Sequence, residues 1–281
     1  MRTLTQHLLP HGLIAKIADL SANCTVPWIK NYLINYFIKR YPVKMHEAII
    51  EDPFAYTSYN KFFTRQLKPV CRPIDPDPRA IVSPADGQIA QIGAIQQDSI
   101  LQAKGHNFSV QALIGNNALA APFINGNFVT VYLAPKDYHR VHMPFGGKLE
   151  HMIYVPGELF SVSQHAAENI PNLFARNERV VCIFNTQVGK MAVILVGAMI
   201  VGSIETVWAG QITPPHFDTL KSWSYGAEQA KHIELAKGAE MGLFKLGSTV
   251  IVLFETQANT WHVDRIAGSD VCMGQKIGTI I

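Results

Sequence analysis

The chain has 281 residues, of which 48% are apolar and 16% are charged, and its formal net charge at pH 7 is +3. A chain of this length can bury a sizeable core in one or two domains, and its 20 glycines and 16 prolines exclude collagen-like, low-complexity and disordered classes. So small a net charge does not predict a nucleic-acid partner.

The first 65 or so residues are predicted to be mainly helical and basic. Nine basic and four acidic side chains lie within residues 1–70, so the remainder of the chain is slightly acidic. A helix is predicted from Thr25, as its N-cap, to Tyr41, with Pro27 in the first turn. This basic front end indicates a surface that meets an apolar or anionic partner.

One side of this helix carries an aromatic stripe beside basic residues. Aromatic and basic side chains on an apolar helix are typical of a segment that lies in a membrane interface. Helices with a basic edge are also common where a helix packs on its own protein core, so this alternative stays open. The stripe consists of Trp28, Tyr32 and Tyr36, and the flanking basic residues are Lys30, Lys39 and Arg40.

Neither a transmembrane helix nor a secretory signal is predicted. The longest apolar run, residues 192–204, falls short of the ~18 residues of a spanning helix, and its two internal glycines favour two buried strands joined by a bend. Because histidines and a proline interrupt the apolar N-terminus, the chain is expected on the cytoplasmic side. Its cysteines lack CxxC spacing and are expected to be packing thiols; they are Cys24, Cys71, Cys182 and Cys272.

From about Val82 the apolar pattern changes to a period of two, which is typical of strands. Few convincing helices lie between these strands, which disfavours a doubly wound parallel sheet. We therefore expect an α+β fold, with a helical region over residues 1–65 and a β-rich domain of mainly antiparallel strands over residues 66–281. The clearest predicted strands are Phe128–Leu133, Val180–Phe184, Met191–Val196 and Thr249–Phe254.

A pair of histidines follows the first of these strands. His139 and His142 lie in the segment YHRVHMP, and imidazole groups can serve as acids or bases near neutral pH. Because no cysteine or acidic residue lies at ligand spacing from them, a metal site is not predicted. Buried histidines that only satisfy the core are the alternative interpretation.

An aspartate and a serine lie in two other short motifs. Asp86 in SPADG is flanked by turn residues, and an aspartate there often bonds only its own backbone. Ser248 in LGST precedes a strand, where a glycine–serine–threonine bend is the ordinary interpretation. With a histidine, the two residues are also the parts of a nucleophile–base–orienter set, although the GxSxG elbow of serine hydrolases is absent.

Six segments in chain order resemble the bacterial type of the phosphatidylserine decarboxylase family. The resemblance runs from about residue 50 to about residue 255, and six ordered matches make coincidence very improbable. The segments are FFTRQLKP (Phe62–Pro69), SPADG (Ser83–Gly87), YHRVHMP (Tyr138–Pro144), FARNER (Phe174–Arg179), GSIETVW (Gly202–Trp208) and FKLGST (Phe244–Thr249).

This resemblance implies a carboxy-lyase that is made as a proenzyme and cuts itself between Gly247 and Ser248. It assigns Asp86, His142 and Ser248 to a charge-relay set, in which Ser248 attacks the carbonyl of Gly247. Ser248 would end as a covalent pyruvoyl group, the cofactor of the enzyme. The products would be a β chain of residues 1–247 and an α chain of residues 248–281.

In the implied reaction, the pyruvoyl carbonyl forms a Schiff base with the amine of phosphatidylserine and accepts the electrons left by CO2. The product is phosphatidylethanolamine. A proton must then return to the α-carbon, and His139 is the candidate acid because it neighbours His142 in the motif.

A substrate held in a bilayer implies peripheral association with the cytoplasmic side of the cell membrane, through the region of residues 1–65. The α and β chains would form a heterodimer, with further dimerisation possible. Three alternatives stay open: a pyruvoyl-dependent decarboxylase of a soluble amino acid, a lipoyl-like binding module that would never cut itself, and a serine hydrolase.

Overall fold

The computed structural model describes residues 20–198, 203–226, 232–245 and 248–281, and its elements are numbered within those ranges. The α-helices are α1 (Pro27–Arg40), α2 (Tyr59–Phe63), α3 (Val110–Ile114), α4 (Asn117–Ala120), α5 (Gln164–Ala167) and α6 (Leu173–Arg176). Short 3-10 helices lie at Met45–Glu47, Pro53–Ala55, Pro69–Cys71 and Ala121–Phe123.

Strands form most of the remainder. In the first half they are β1 (Ala80–Val82), β2 (Gly87–Ala94), β3 (Ser99–Ala103), β4 (His106–Ser109), β5 (Asn127–Leu133), β6 (Arg140–His142), β7 (Gly147–Val155), β8 (Arg179–Thr186) and β9 (Gly189–Val196). The later ones are β10 (Ser203–Thr206), β11 (Gly210–Thr213), β12 (Lys221–Ser224), β13 (Glu234–Leu235), β14 (Glu240–Lys245), β15 (Ser248–Phe254), β16 (Asn259–Trp261), β17 (Asp270–Val271) and β18 (Lys276–Ile280).

The largest sheet has the order β12-β7-β8-β9-β15-β5-β2-β17, with β13 also paired to β7. A second sheet has the order β11-β10-β14-β6, a third β1-β18-β16, and β3 and β4 form a hairpin. Every pair of these strands is antiparallel. The expected α+β fold with mainly antiparallel strands is therefore confirmed.

The centre of the large sheet is built from the most apolar segments of the sequence. All seven residues of β15 are buried, and β8 and β9 are buried over most of their length. β-Branched side chains pack well on a pleated surface, which explains why these segments form strands. The four strands predicted most clearly are confirmed, and the apolar run at residues 192–204 contains the end of β9 and the start of β10.

Helix α1 begins one residue later than predicted. Pro27 occupies the first helical position, which suits its fixed φ and missing N–H, so the N-cap is Val26 and makes no side-chain capping bond. The prediction of Thr25 as N-cap is wrong for this reason. The predicted helical residues 1–19 lie outside the described residues.

The inner face of α1 packs in a small apolar cluster of its own, apart from the main core. Phe37 makes edge-on ring contacts with Phe62 and Phe63 of α2, at centroid distances of 5.9 and 5.8 Å. Lys30 does not flank the outer stripe as predicted, because it is buried and its Nζ donates to the Phe54 carbonyl at 2.8 Å. The remaining cluster residues are Ala22, Ile34, Tyr56 and Tyr59.

The outer face of α1 stays in solvent. Trp28, Tyr32 and Tyr36 are 75%, 69% and 64% exposed. The helix therefore packs on its own protein with one face and presents the predicted aromatic stripe with the other. Within the described part of the chain, no helix is both long enough and apolar enough to cross a membrane.

The cysteines do not all behave as the packing thiols that were expected. Cys182 is fully buried, and Cys24 and Cys71 are partly buried. Cys272 is exposed, because it follows the short edge strand β17 at the rim of a cavity. The prediction is wrong for this residue.

Candidate active site

The turn that carries Asp86 and the strand that carries His142 lie side by side. Asp86 lies between β1 and β2, and the backbone N–H of His142 donates to the Pro84 carbonyl at 2.8 Å. The two motifs are therefore adjacent in space although they are more than fifty residues apart in sequence. Gly87 is required here, because a Cβ at this position would lie 2.2 Å from the Tyr132 carbonyl oxygen.

The carboxylate of Asp86 is buried and engaged by an arginine. Arg72 donates from Nε to both carboxylate oxygens at 2.8 and 2.9 Å and from Nη2 to Oδ2 at 2.5 Å. The backbone N–H of Met273 adds a bond of 2.9 Å to Oδ1. Arg72 also donates to Glu47 at 2.8 Å, so the guanidinium lies between two carboxylates and its pKa is raised, first by its bond to Asp86.

His142 is held as a neutral base. Its Nδ1 donates to the Gly238 carbonyl at 2.9 Å, which leaves Nε2 to accept from the Tyr138 hydroxyl at 3.2 Å. Burial lowers the pKa of His142, although the charges of Glu240 and Asp86 oppose that effect. Asp86 and His142 share no hydrogen bond in the described structure, so Asp86 acts on this imidazole through its charge.

Ser248 is the first residue of β15, at the middle of the large sheet. It is fully buried and lies opposite Leu133 of β5. Its Oγ has no hydrogen-bond partner among the described residues. A buried hydroxyl without a hydrogen-bond partner costs folding free energy. Such unsatisfied groups are typical of reactive sites. Gly247, on the other side of the predicted cleavage bond, lies outside the described residues.

His139 lies at the Ser248 end of this arrangement. Its ring stacks on Phe63 with centroids 4.2 Å apart. Its Nε2 donates to the carbonyl of Ala134, the residue after Leu133, at 3.1 Å. Its own carbonyl accepts from the backbone N–H of Phe244 at 3.0 Å. These two bonds connect His139 to the end of β5, which pairs with Ser248, and to β14, which precedes Ser248 in the chain.

The imidazole of His139 is neutral and has a free lone pair. Burial, and then the charge of Arg65, lower its pKa to about 3. Since Nε2 carries the proton, Nδ1 is the unprotonated nitrogen, and it has no hydrogen-bond partner in the described residues. At neutral pH this nitrogen can accept a proton but has none to give.

A cavity of about 450 Å³ opens beside these groups. Its lining includes Asp86, Tyr138 and Ala134 and the two basic residues Arg65 and Lys136. Sequence reasoning missed Arg72, Tyr138 and Gly238, which hold the predicted residues in place. Tyr138 and Arg65 lie inside the recognised motifs, so the motifs were a signal for them, whereas nothing marked Arg72 or Gly238.

Comparison with known proteins gives a consistent result. A family model described as "Phosphatidylserine decarboxylase" matches residues 59–279, and one described as "PSD" matches residues 1–42. A protein of Ectopseudomonas mendocina is 58% identical over 276 residues, which cover 98% of this chain and 96% of the relative. Relatives from Pseudomonas putida and Azotobacter vinelandii are 56% and 55% identical with the same coverage. All three are named phosphatidylserine decarboxylase proenzyme.

Proposed function

The chain belongs to the phosphatidylserine decarboxylase family, and from this premise we propose that it converts phosphatidylserine to phosphatidylethanolamine and CO2. The observation that carries the proposal is sequence identity of 58% and 56% to two relatives named phosphatidylserine decarboxylase proenzyme, over nearly their whole length. As a member of the family the chain is a carboxy-lyase.

Self-cleavage between Gly247 and Ser248 comes first. The Oγ of Ser248 attacks the carbonyl carbon of Gly247, and its proton passes to the unprotonated Nε2 of His142, whose charged form Asp86 stabilises. The C–N bond then breaks, the amide nitrogen takes up the proton, and an ester joins the two segments. The partnerless Oγ of Ser248 and the neutral imidazole of His142, whose Nε2 is an acceptor because Nδ1 donates to Gly238, support these roles.

The ester is resolved by loss of the Cα proton of Ser248. Cleavage of the Cβ–O bond releases residues 1–247 with a carboxylate at their end, and leaves a dehydroalanine at the start of residues 248–281. Water converts this residue to a pyruvoyl group with release of ammonia. The two chains stay together as a heterodimer, because β15 is paired with β5 on one side and β9 on the other.

The site fits such a group. Oγ of Ser248 and Nδ1 of His139 are both buried and have no hydrogen-bond partner in the described residues, so both have unused hydrogen-bonding capacity for a polar group formed there. When present, a pyruvoyl group supplies a conjugated carbonyl that accepts the electrons released as CO2 departs.

His139 would move the proton that this chemistry requires. Its neutral Nδ1 takes a proton from the ammonium group of the bound substrate, which must lose one to react as an amine. The same nitrogen then returns the proton to the carbon that has lost CO2. The acid role expected of His139 therefore follows a first step in which the ring takes up a proton, because burial leaves it unprotonated at neutral pH.

Residues 1–65 are the proposed membrane-associating region, and residues 66–281 the catalytic domain. The separate apolar cluster around α1 supports this boundary, and the exposed aromatic stripe supports contact with lipid. A diacyl substrate cannot leave the bilayer at low cost, at about 0.8 kcal/mol for each exposed CH2. Peripheral association with the cytoplasmic side of the cell membrane is therefore proposed.

Intact-mass measurement tests the proposed processing. The wild-type chain is expected as two species that end and begin at the bond between residues 247 and 248, the smaller one with a blocked N-terminus. Ser248→Ala, His142→Ala and Asp86→Asn are each expected to remain a single chain. His165→Ala, which removes an exposed imidazole on α5, is the matched control and should be cut normally. A wild-type chain that stays whole would overturn the proposed mechanism.

A phosphatidylserine assay then tests the reaction itself. CO2 release from vesicles that contain phosphatidylserine, and none from free serine, is the expected result for the cut wild-type protein. Release from free serine alone would instead support the decarboxylase of a soluble amino acid.

A further inference from the structure

Arg65 differs in what it binds from three other buried or half-buried arginines of the described structure. Arg72 is bonded to two carboxylates, and Arg140 donates to both oxygens of Glu240. Arg179 donates to three backbone carbonyls. Arg65 is 4% exposed, yet within the described residues its side chain makes one hydrogen bond, a long one of 3.3 Å from Nη2 to the Lys136 carbonyl.

The other donors of Arg65 are unused. Its Nε and Nη1 are buried and have no hydrogen-bond partner among the described residues, and its guanidinium lies 5.7 Å from the centre of the Phe62 ring. Removing a cation from water without a counter-charge costs several kcal/mol. Since arginine stays protonated in proteins, these free N–H groups are suited to an anion that enters from outside.

Arg65 lines two cavities at once. One is the cavity of about 450 Å³ beside Asp86 and Tyr138. The other, of about 250 Å³, is lined by Ile49 and Ile50, which are 55% and 44% exposed. Arg65 therefore lies between the cavity that Asp86 and Tyr138 line and a second one, whose lining combines the exposed Ile49 and Ile50 with polar side chains such as Gln66.

We propose that Arg65, assisted by Lys136, binds the phosphodiester of the phospholipid substrate. The proposal rests on the proposed function, because it assigns a part of that substrate to a site. In a phosphatidylserine the phosphodiester joins the amino-acid headgroup to the glycerol and its acyl chains. A guanidinium between the cavity of Asp86 and the cavity with the exposed isoleucines meets the anion at this junction. Lys136 is exposed, lines the same cavity and forms no ion pair within the described residues.

The carboxylate of the substrate is the other anion that could reach this site. A cation that bound the carboxylate would stabilise the ground state more than the transition state, because the carboxylate loses its charge as it becomes CO2. The phosphodiester keeps its charge throughout the reaction. Its two free oxygens also match the paired donors of a guanidinium.

Competition by inorganic phosphate tests the site on the processed enzyme. Phosphate is expected to inhibit decarboxylation of a short-chain phosphatidylserine competitively. Arg65→Met should raise both KM and the phosphate inhibition constant by about 10-fold to 100-fold, as expected for lost hydrogen bonds to a charged group. Arg65→Lys should keep part of the affinity. Because Arg65 also lowers the pKa of His139, the deciding quantity is phosphate affinity and not kcat.

Two further variants complete the design. Lys136→Met should raise the phosphate inhibition constant by several-fold, about threefold to 10-fold, and keeps the test decisive if Arg65→Met fails to fold. Arg79→Met, which removes an exposed cation outside the cavity, is the matched control and should leave the constant unchanged.

Several outcomes would overturn the proposal. The first is phosphate inhibition that is unchanged in both Arg65→Met and Lys136→Met, and the second is an equal loss of phosphate inhibition in Arg79→Met. The third is that Arg65→Met weakens competition by L-serine and leaves competition by phosphate unchanged, which would assign Arg65 to the carboxylate. Phosphate binding is also measured directly by calorimetry on the wild type and Arg65→Met. Failure of the proposed reaction, seen as no CO2 release from any lipid, is thereby distinguished from failure of the anion site.

Discussion

Arg72 holds the carboxylate of Asp86 through three N–H···O contacts of 2.5 to 2.9 Å. The aspartate that the family motif assigns to a charge relay is thus bonded to a residue outside that motif. The same guanidinium reaches Glu47, so the carboxylate at the reactive centre is linked to the segment that follows α1.

Replacing Arg72 with methionine should destabilise the protein and slow self-cleavage. Breaking a buried ion pair leaves an uncompensated charge, which costs about 3 kcal/mol. Urea unfolding in a Ser248→Ala background, where the chain stays whole, measures this loss. Lys68→Met removes the exposed pair with Glu51 and should cost less than about 1 kcal/mol. Equal losses in the two variants would contradict the inferred role of Arg72.

The pH dependence of self-cleavage should follow the lowered pKa of His142. The neutral imidazole is the proposed base, so the rate falls as pH drops through the folded pKa. Because burial places that pKa below the ordinary histidine value of 6.5, more than half of the maximal rate should remain at pH 6.5. Freshly translated chain is incubated at several pH values from about 5.5 to about 8, a range that spans the ordinary titration of a histidine. Gel electrophoresis then measures the fraction cut at each pH.

The Glu240→Gln variant is a second test of His142 as the base in self-cleavage. The carboxylate of Glu240 raises the pKa of His142, whereas Arg140 lowers it. Neutralising Glu240 and leaving Arg140 unpaired should therefore move the midpoint of the profile to lower pH. A midpoint above pH 7 in the wild type, or an upward shift in this variant, would exclude His142 as the titrating base, since an ordinary histidine titrates at about 6.5.

His139 should make the fold sensitive to acid. Its pKa is about 3 in the folded state, against the ordinary histidine value of 6.5, so the unfolded state binds a proton that the folded state does not. The stabilising effect is complete above pH 6.5 and is lost as pH falls toward 3. Between pH 7 and 5 the wild type should lose about 2 kcal/mol more unfolding free energy than His139→Phe.

Phenylalanine is the informative replacement for His139. It retains a ring to stack on Phe63 and removes the titrating nitrogen, at a cost of about 1 kcal/mol for the lost bond to Ala134. Denaturant unfolding of both proteins at pH 7 and pH 5, in the Ser248→Ala background, provides the comparison. Parallel losses of stability would show that His139 is not buried as a neutral group.

Substitutions on the outer stripe of α1 should weaken lipid binding alone. Changing Trp28, Tyr32 and Tyr36 together to serine removes exposed apolar area, and binding to phosphatidylserine vesicles should fall at least about 10-fold. Cleavage should proceed normally. Val263 and Ile266, which are 86% and 64% exposed, supply the control when changed to serine. Unchanged vesicle binding of the triple variant would refute a membrane role for this face.

Deleting the whole helix would be a less specific experiment. Phe37 of α1 packs on Phe62 and Phe63, and Phe63 stacks on His139. Loss of α1 would therefore disturb a proposed catalytic group as well as the surface. Point substitutions on the exposed face separate the two effects.

The strands of the core were predictable because their signal is local. Runs rich in valine and isoleucine form β8, β9 and β15, whatever lies elsewhere in the chain. The start of α1 was missed by one residue, since Pro27 defines the helix boundary more strongly than a candidate cap does. The burial of Lys30 depends on the Phe54 carbonyl, 24 residues away, and no local pattern indicates such a contact.

In the candidate site, too, local motifs were predictable from the sequence and long-range contacts were not. Motifs identified Asp86, His142 and Ser248, but their bonding depends on partners that the fold brings from elsewhere. Arg72 and Gly238 reach these residues from other segments. The neutral state of His139 likewise depends on burial beneath Phe63, and a side chain's surroundings follow from packing rather than from its motif.

The proposed cut falls at the first residue of a strand that has a hydrogen-bonded neighbour on each side. Severing the backbone there preserves the sheet but ends the single-chain connectivity that produced it. Before cleavage, folding is a first-order event within one molecule. After cleavage, recovery from unfolding would require two separate polypeptides to meet, a second-order process in which one partner has only 34 residues. The working lifetime of the mature protein would then depend on how slowly it unfolds, and no longer on how readily it refolds.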